Sequence, residues 1–192
     1  EDRHFSRLAG SAAYFGFVYD AAAVRAAISN ALSGRENERL RVRLTLSEDG
    51  IVKVTVSNQP VASPDYEMGY VISSTRLSSA NAFLYHKTTR RELYDAEWAD
   101  YNAACGADEV VYFNENGALC EGSRTNIFIE RDGKLLTPPL SAGLLPGTFR
   151  AELLASGRAV EAPLALPDLE NADTVYLGNS VRGLCRAKRL AG

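Results

Sequence analysis

The sequence predicts an α+β fold in two lobes, and three features of its patterning predict it. Helical periodicity fills about Arg3 to Leu32, and short alternating strands follow. A long helix near the middle then leads into a second set of elements dominated by strands. Turn residues punctuate both sets, with no internal repeat and no low-complexity linker.

The first helical pattern breaks at Gly16-Phe17 and resumes to Leu32. Strands are expected over about Leu40 to Leu46, Ile51 to Val56 and Met68 to Ser73, where apolar and polar residues alternate. Residues 1–77 therefore read as a small N-terminal lobe, 78–86 as an interlobe loop and 87–192 as a larger β-rich C-terminal lobe. A helix from about Arg90 to Ala104 carries Leu93, Ala96, Ala99 and Ala103 at helical spacing and ends at Gly106. The strands expected beyond it are Glu109 to Phe113, Asn126 to Glu130, Lys134 to Thr137 and Thr174 to Leu177. Helices are expected near Phe149 to Ser156 and Pro167 to Asn171.

Composition narrows the function classes. A chain of 192 residues with 46% hydrophobic content can bury a real core, and 23% charged residues suits a soluble globular protein. A net charge of −3 gives no long-range attraction for nucleic acid. The basic tail Arg182, Arg186, Lys188, Arg189 lacks the interleaved aromatics of a nucleic-acid platform. Cys105, Cys120 and Cys185 are odd in number and lack metal-ligand spacing, so no metal site is expected and reduced thiols in the cytoplasm are. No signal peptide or membrane span is visible.

Among the lysines, Lys53 fills a polar slot in an alternating strand, Lys134 follows the turn Arg131-Asp132-Gly133, and Lys188 lies in the basic tail. Lys87 instead follows the apolar run Ala82-Phe83-Leu84-Tyr85 and opens Thr88-Thr89-Arg90-Arg91. An amine there is expected to be partly desolvated and near arginines, two effects that lower a lysine pKa and expose its lone pair for imine chemistry. The plain alternative is a snorkelling surface lysine. Glu121 lies among apolar residues where a strand should run, a costly place for an unpaired carboxylate. Its plain reading is a strand-end acid paired to Arg124. The turn Pro146-Gly147-Thr148 opens a helical run, and free N–H groups at a helix start with a threonine hydroxyl suit a phosphate. Gly178-Asn179-Ser180 offers a second small-residue turn after a strand.

This order of amine, buried acid and two anion-binding turns resembles the class IV pyridoxal-phosphate enzymes, which include branched-chain and D-amino-acid aminotransferases and aminodeoxychorismate lyase. The resemblance runs from about Arg3 to Arg186. It is strongest to the lyase-type branch, through His86-Lys87-Thr88-Thr89-Arg90-Arg91 and Leu177-Gly178-Asn179-Ser180-Val181-Arg182-Gly183-Leu184. The resemblance implies a fold type IV architecture with pyridoxal 5'-phosphate in the interlobe cleft, and a first strand preceding Glu1. It makes Lys87 the Schiff-base lysine and Glu121 the acid that holds the pyridine nitrogen. Arg7, Gly147, Thr148, Asn179 and Ser180 become phosphate ligands, and Arg43 and Arg91 candidates for the substrate. Better-known aminotransferases place a tyrosine shortly after the lysine to touch the ring hydroxyl. Here Arg91 and Glu92 stand in that neighbourhood, and Tyr94 comes slightly later.

The implied reaction is elimination of pyruvate from 4-amino-4-deoxychorismate to give 4-aminobenzoate, with Lys87 as anchor and general base. The alternative is transamination of branched-chain or other aliphatic amino acids with a 2-oxo acid. A third, different expectation is a cofactor-free homologue serving as a binding protein, which would be colourless. A homodimer acting on a small-molecule amine is implied, with possible fusion to or cooperation with aminodeoxychorismate synthase. Substrate selectivity is expected to reside in loops such as Ser57 to Pro64 and Leu140 to Leu145.

Overall fold

The computed structural model describes residues 2–35, 37–60, 63 and 65–191, and it divides into two compact units, Glu1–Ser63 and Pro64–Gly192. The N-terminal unit holds helices α1 (Asp2–Phe15) and α2 (Ala21–Leu32) and the strands β1 (Leu40–Leu46) and β2 (Val52–Asn58). Gly16 ends α1 at a positive φ, and the Asp20 carboxylate caps α2 by accepting from the Ala22 and Ala23 amides. β1 and β2 form an antiparallel hairpin in the register Leu40↔Asn58 to Leu46↔Val52. α2 packs along β2. The helix break and both strands fall where the sequence pattern puts them. The expected selectivity loop 57–64 lies partly outside the described residues.

The C-terminal unit is built on one eight-stranded sheet. Its strands are β3 (Met68–Leu77), β4 (Glu109–Asn114), β5 (Leu119–Gly122), β6 (Asn126–Arg131), β7 (Lys134–Thr137), β8 (Ala159–Glu161), β9 (Thr174–Asn179) and β10 (Gly183–Arg189). Their order is β5-β4-β3-β10-β9-β6-β7-β8, with a further pairing between β5 and β6. Six strands thus close on themselves as a barrel, and β7 and β8 extend it. β3, read from the sequence as part of the small lobe, lies inside this sheet with parallel pairings to β4 and β10.

Strand alternation sorts the side chains into cores. Val111, Phe113, Leu119, Ile127, Ile129 and Leu177 form one cluster with less than about a twentieth of their surface exposed. The alternate positions Val110 and Tyr112 turn to the opposite face, where they meet helix α3 (Glu92–Cys105). Phe128, between Ile127 and Ile129, turns to α4 (Thr148–Ala155) through Leu153. A short α5 (Leu166–Glu170) adds Leu169 to the first cluster.

Two expectations need correction here. The stripe Leu93, Ala96, Ala99, Ala103 on α3 is exposed, and Tyr94, Trp98 and Tyr101 face the sheet instead. Aromatic rings bury far more area than alanine methyls, so the helix turns its ring-bearing face inward. Gly106 ends α3 as expected, with φ 72. The segment Gly183–Arg189, not expected as a strand, is β10, central in the sheet and paired through its backbone with β9 and β3, while the basic Arg186, Lys188 and Arg189 point to solvent.

Candidate active site

Glu121 sits on β5 opposite Asn126 of β6, and Asn126 in turn pairs with Gly178 of β9. One row of backbone pairing therefore places the acid, an amide side chain and the start of the second small-residue turn side by side. Glu121 is 7% exposed. Its Oε1 accepts from the Tyr94 hydroxyl at 3.0 Å, and its Oε2 accepts from the Leu145 N–H at 2.9 Å. Burial drives its pKa up to about 7, opposed by these two hydrogen bonds and by the charge of Lys87, while Glu109 adds to the rise. Arg124 does not pair with it. That guanidinium stacks over the Trp98 ring at 3.8 Å and lies 3.8 Å from Asp95.

Lys87 follows a 3-10 turn, Ala82–Tyr85, and precedes α3 in an irregular segment. The expected desolvation is absent from this chain, for Lys87 is exposed. Leu84 takes the burial of the apolar run, and the neighbouring arginines are turned elsewhere. Arg90 lies over the Phe83 ring at 4.2 Å. Arg91 donates through Nη2 to the Ser123 carbonyl at 2.6 Å, which ties the lysine segment to the turn just after Glu121.

That turn has its own anchor in Glu109 of β4, a buried acid that sequence reading passed over. Its carboxylate accepts from the hydroxyls of Ser123 and Thr125 and from the Arg124 N–H at 3.1 Å. Burial raises its pKa against these bonds. The three donors follow Glu121 as Ser123-Arg124-Thr125, a hydroxyl-rich turn that could have signalled a buried acceptor nearby.

The approach to α4 is shaped by the same strands. The Leu145 N–H goes to Glu121, and the Leu145 carbonyl accepts from Asn126 Nδ2 at 3.0 Å and from the Gly147 N–H at 2.8 Å. Gly147 then caps α4 with no side-chain hydrogen bond at the cap, and Thr148 is 8% exposed. A Cβ on Gly147 would overlap Asn126 Oδ1. In the second turn, Asn179 Oδ1 accepts from the Val181 and Arg182 amides at 3.0 Å each, and its Nδ2 donates to the Arg124 carbonyl at 3.2 Å. Gly178 packs under Phe149 of α4, where a Cβ would meet the ring at 3.1 Å and the Gly183 carbonyl at 3.2 Å. Ser180 is exposed at the tip of this turn.

The structure thus gathers Glu121, Gly147, Thr148 and Asn179 about one barrel seam, with Lys87 close enough to act on Glu121 electrostatically. Arg91 sits alongside. Arg7 on α1 is half-buried, and its pKa is lowered by that burial. Arg43 on β1 is exposed and opposite Thr55. Both belong to the N-terminal unit. Tyr94 and Asn126 are the functional residues that sequence reading missed in these positions. The sequence sets Tyr94 only against the ring hydroxyl, whereas its phenol donates to Glu121, and the Asn126 amide opens an apolar strand, which is the signal it offers.

These features fit a pyridine ring carrying a phosphate. An acid buried beside a lysine and a helix start without a side-chain cap, joined by the Thr148 hydroxyl, are the donor set such a group would need. Among the described residues no group of three or more His, Cys, Asp or Glu could hold a metal, and no helix is long and apolar enough to cross a membrane. The three cysteines are free thiols, and burial pushes Cys120 up to about 12.

Comparison with known proteins agrees with this geometry. The model of the family described as amino-transferase class IV matches residues 1–190. A Schizosaccharomyces pombe protein provisionally named aminodeoxychorismate lyase is 29% identical over 95% of this chain and 80% of its own length. A Thermotoga maritima protein named probable branched-chain-amino-acid aminotransferase is 27% identical over 98% of this chain and 71% of its own. A solved Mesorhizobium loti structure, provisionally named amino-acid aminotransferase, has a TM-score of 0.92 and 43% identity and covers 98% of this chain and 91% of its own.

Proposed function

We propose, because this chain belongs to the amino-transferase class IV family of pyridoxal 5'-phosphate enzymes, that it is the lyase-type member, releasing pyruvate from 4-amino-4-deoxychorismate to leave 4-aminobenzoate. What supports the choice is the likeness of His86-Lys87-Thr88-Thr89-Arg90-Arg91 and Leu177-Gly178-Asn179-Ser180-Val181-Arg182-Gly183-Leu184 to the lyase-type branch, together with the Schizosaccharomyces pombe relative's name.

The cofactor, when bound, supplies an aldehyde that takes up an amine and a ring that accepts the electrons released beside it. Lys87 is the anchoring amine and, once free, the base that takes the proton from the ring carbon bearing the substrate nitrogen. The electron pair left behind closes the aromatic ring as the carbon–oxygen bond to enolpyruvate breaks, and a proton on the departing enol gives pyruvate. Glu121, as a carboxylate, would face the pyridine nitrogen and favour its protonated form. Thr148, Gly147 and the α4 amides would hold the phosphate together with Asn179 and Ser180. Arg91 is assigned to a substrate carboxylate. The active species is a homodimer, to be checked by light scattering.

The decisive experiment supplies protein, pyridoxal phosphate and enzymatically made aminodeoxychorismate, with no oxo acid. Equal release of 4-aminobenzoate and pyruvate over many turnovers, lost in Lys87→Ala, is expected. A second reading, transamination, is favoured by the provisional name of the 43% identical Mesorhizobium loti protein. Failure of the lyase assay, with amino transfer from aliphatic amino acids to 2-oxoglutarate by the same preparation, would establish that reading instead.

A further inference from the structure

We propose that Asn126 is the positioning residue of the phosphate seat, locking the turn before α4 to the acid on β5. The inference rests on the assignment of Gly147 and Thr148 to phosphate. Leu145 is the shared piece. Its N–H is held by Glu121 and its carbonyl by Asn126, two residues directly opposite each other across β5 and β6. Both backbone polar groups of one residue, and so the two peptide units that flank its Cα, are therefore fixed by one cross-strand pair.

The Asn126 side chain has a second contact that makes the lock sterically tight. Its Oδ1 occupies the volume a Cβ on Gly147 would take, so the carboxamide lies against the glycine that caps α4. The Gly147 N–H also returns to the Leu145 carbonyl, closing a short turn over the amide. Asn126 is 6% exposed. Losing the Asn126 bond would leave the half-buried Leu145 carbonyl with the Gly147 N–H alone and the Asn126 amide buried without that acceptor, so the turn is held where the amide places it. Strand geometry carries the placement further, since Asn126 also pairs with Gly178, whose bare Cα packs under Phe149 of the same helix. Asn126 thereby sets where the α4 amides lie relative to Glu121, without itself touching the cofactor.

The test compares two probes, pyridoxal phosphate and pyridoxal, which differ only in the phosphate. Binding of each to the cofactor-stripped protein is titrated by absorbance. Asn126→Ala is expected to weaken pyridoxal phosphate at least about tenfold more than pyridoxal, the loss of a well-made charge-assisted hydrogen bond set. Should that variant fail to fold, Gly147→Ala displaces the same carboxamide from the other side and is expected to give the same selective loss. Thr148→Val is measured in parallel. If Thr148→Val loses discrimination while neither Asn126→Ala nor Gly147→Ala does, the role of Asn126 is overturned and the phosphate seat stands. If none of the three changes the ratio, the seat and the inference fall together. Equal weakening of both probes by Asn126→Ala also overturns it, since a merely structural residue would act that way.

Discussion

Replacing Glu121 by Gln should change how the stability of the cofactor-free protein depends on pH. The acid is raised from an ordinary 4.5 to about 7 in the fold. A carboxyl whose folded pKa lies above its unfolded one favours folding fully only below the unfolded value, because the native chain keeps a proton that the unfolded chain gives up. As pH rises from about 4.5 to 7, the unfolded state loses its proton first and stability falls; above about 7 the loss is complete. At about 1.4 kcal/mol for each unit, a rise of two to three units amounts to roughly 3 kcal/mol. Gln cannot ionise, so the variant lacks this slope. It will carry a constant cost of about 1–3 kcal/mol, since one of the donors from Tyr94 and Leu145 then meets an NH2 group. Urea titrations of both proteins from pH 4 to pH 8 separate the two effects, as the constant cost cancels from the pH dependence of the difference. The difference should narrow by roughly 3 kcal/mol, or reverse sign, as pH rises. Curves that stay parallel would refute the buried, proton-holding description of Glu121.

Three more outcomes are expected. Tyr94→Phe keeps the ring against Tyr112 and removes the donor to Glu121, so the pH midpoint of the same stability loss should move up by about one unit; an unmoved midpoint would mean that the phenol does not sense the charge. Arg150, 3% exposed on α4, donates to the Pro138 carbonyl at 2.6 Å and to Glu161 at 2.5 Å, and Arg150→Ala should cost about 2–4 kcal/mol in urea denaturation, with a loss under about 1 kcal/mol counting against a structural role. Lys87→Ala removes an exposed side chain, so its unfolding midpoint should stay within about 0.5 kcal/mol of the parent while the visible absorption of the loaded protein disappears; absorption that survives would remove Lys87 as the anchor.

Much of the scaffold was legible because periodicity and turn residues act locally. The hairpin over Leu40–Leu46 and Val52–Asn58, the break at Gly16 and the left-handed stop at Gly106 follow from nearest-neighbour chemistry. The acid of the site was legible too, since a carboxylate among strand residues has to be held by something. What escaped was set by partners distant in sequence. Leu93 and its alanines look like a core stripe until the sheet offers Tyr112 and Val110 to the larger rings on the other side of α3. The tail's basic side chains are exposed, as their composition suggests, but the strand they sit on forms only because β3 and β9 leave a gap its backbone can fill. Lys87 reads as buried because its neighbours are apolar, yet Leu84 alone among the four residues of that turn is buried. Asn126 shows in sequence only as an amide opening an apolar strand, and the approach of Leu145 and Gly147 is what gives that amide its contacts.

The barrel is shut between β5 and β6 by a single residue pair among the described residues, and that pair contains the candidate acid. Opening the seam and wetting Glu121 are therefore one event. Once wetted, the carboxyl returns toward its ordinary range, so alkaline solution favours the open form by the same proton linkage that penalises the closed one. The turn Ser123-Arg124-Thr125, spanning the seam, becomes the place where the barrel breathes, and its exposed Arg124 is a ready cleavage point for a trypsin-like protease. Nicking there should quicken from pH 6 to pH 8 beyond the protease's own pH response, and a ligand that grips both Glu121 and the α4 turn should slow it, acting as a clasp on the barrel as well as a reagent within it.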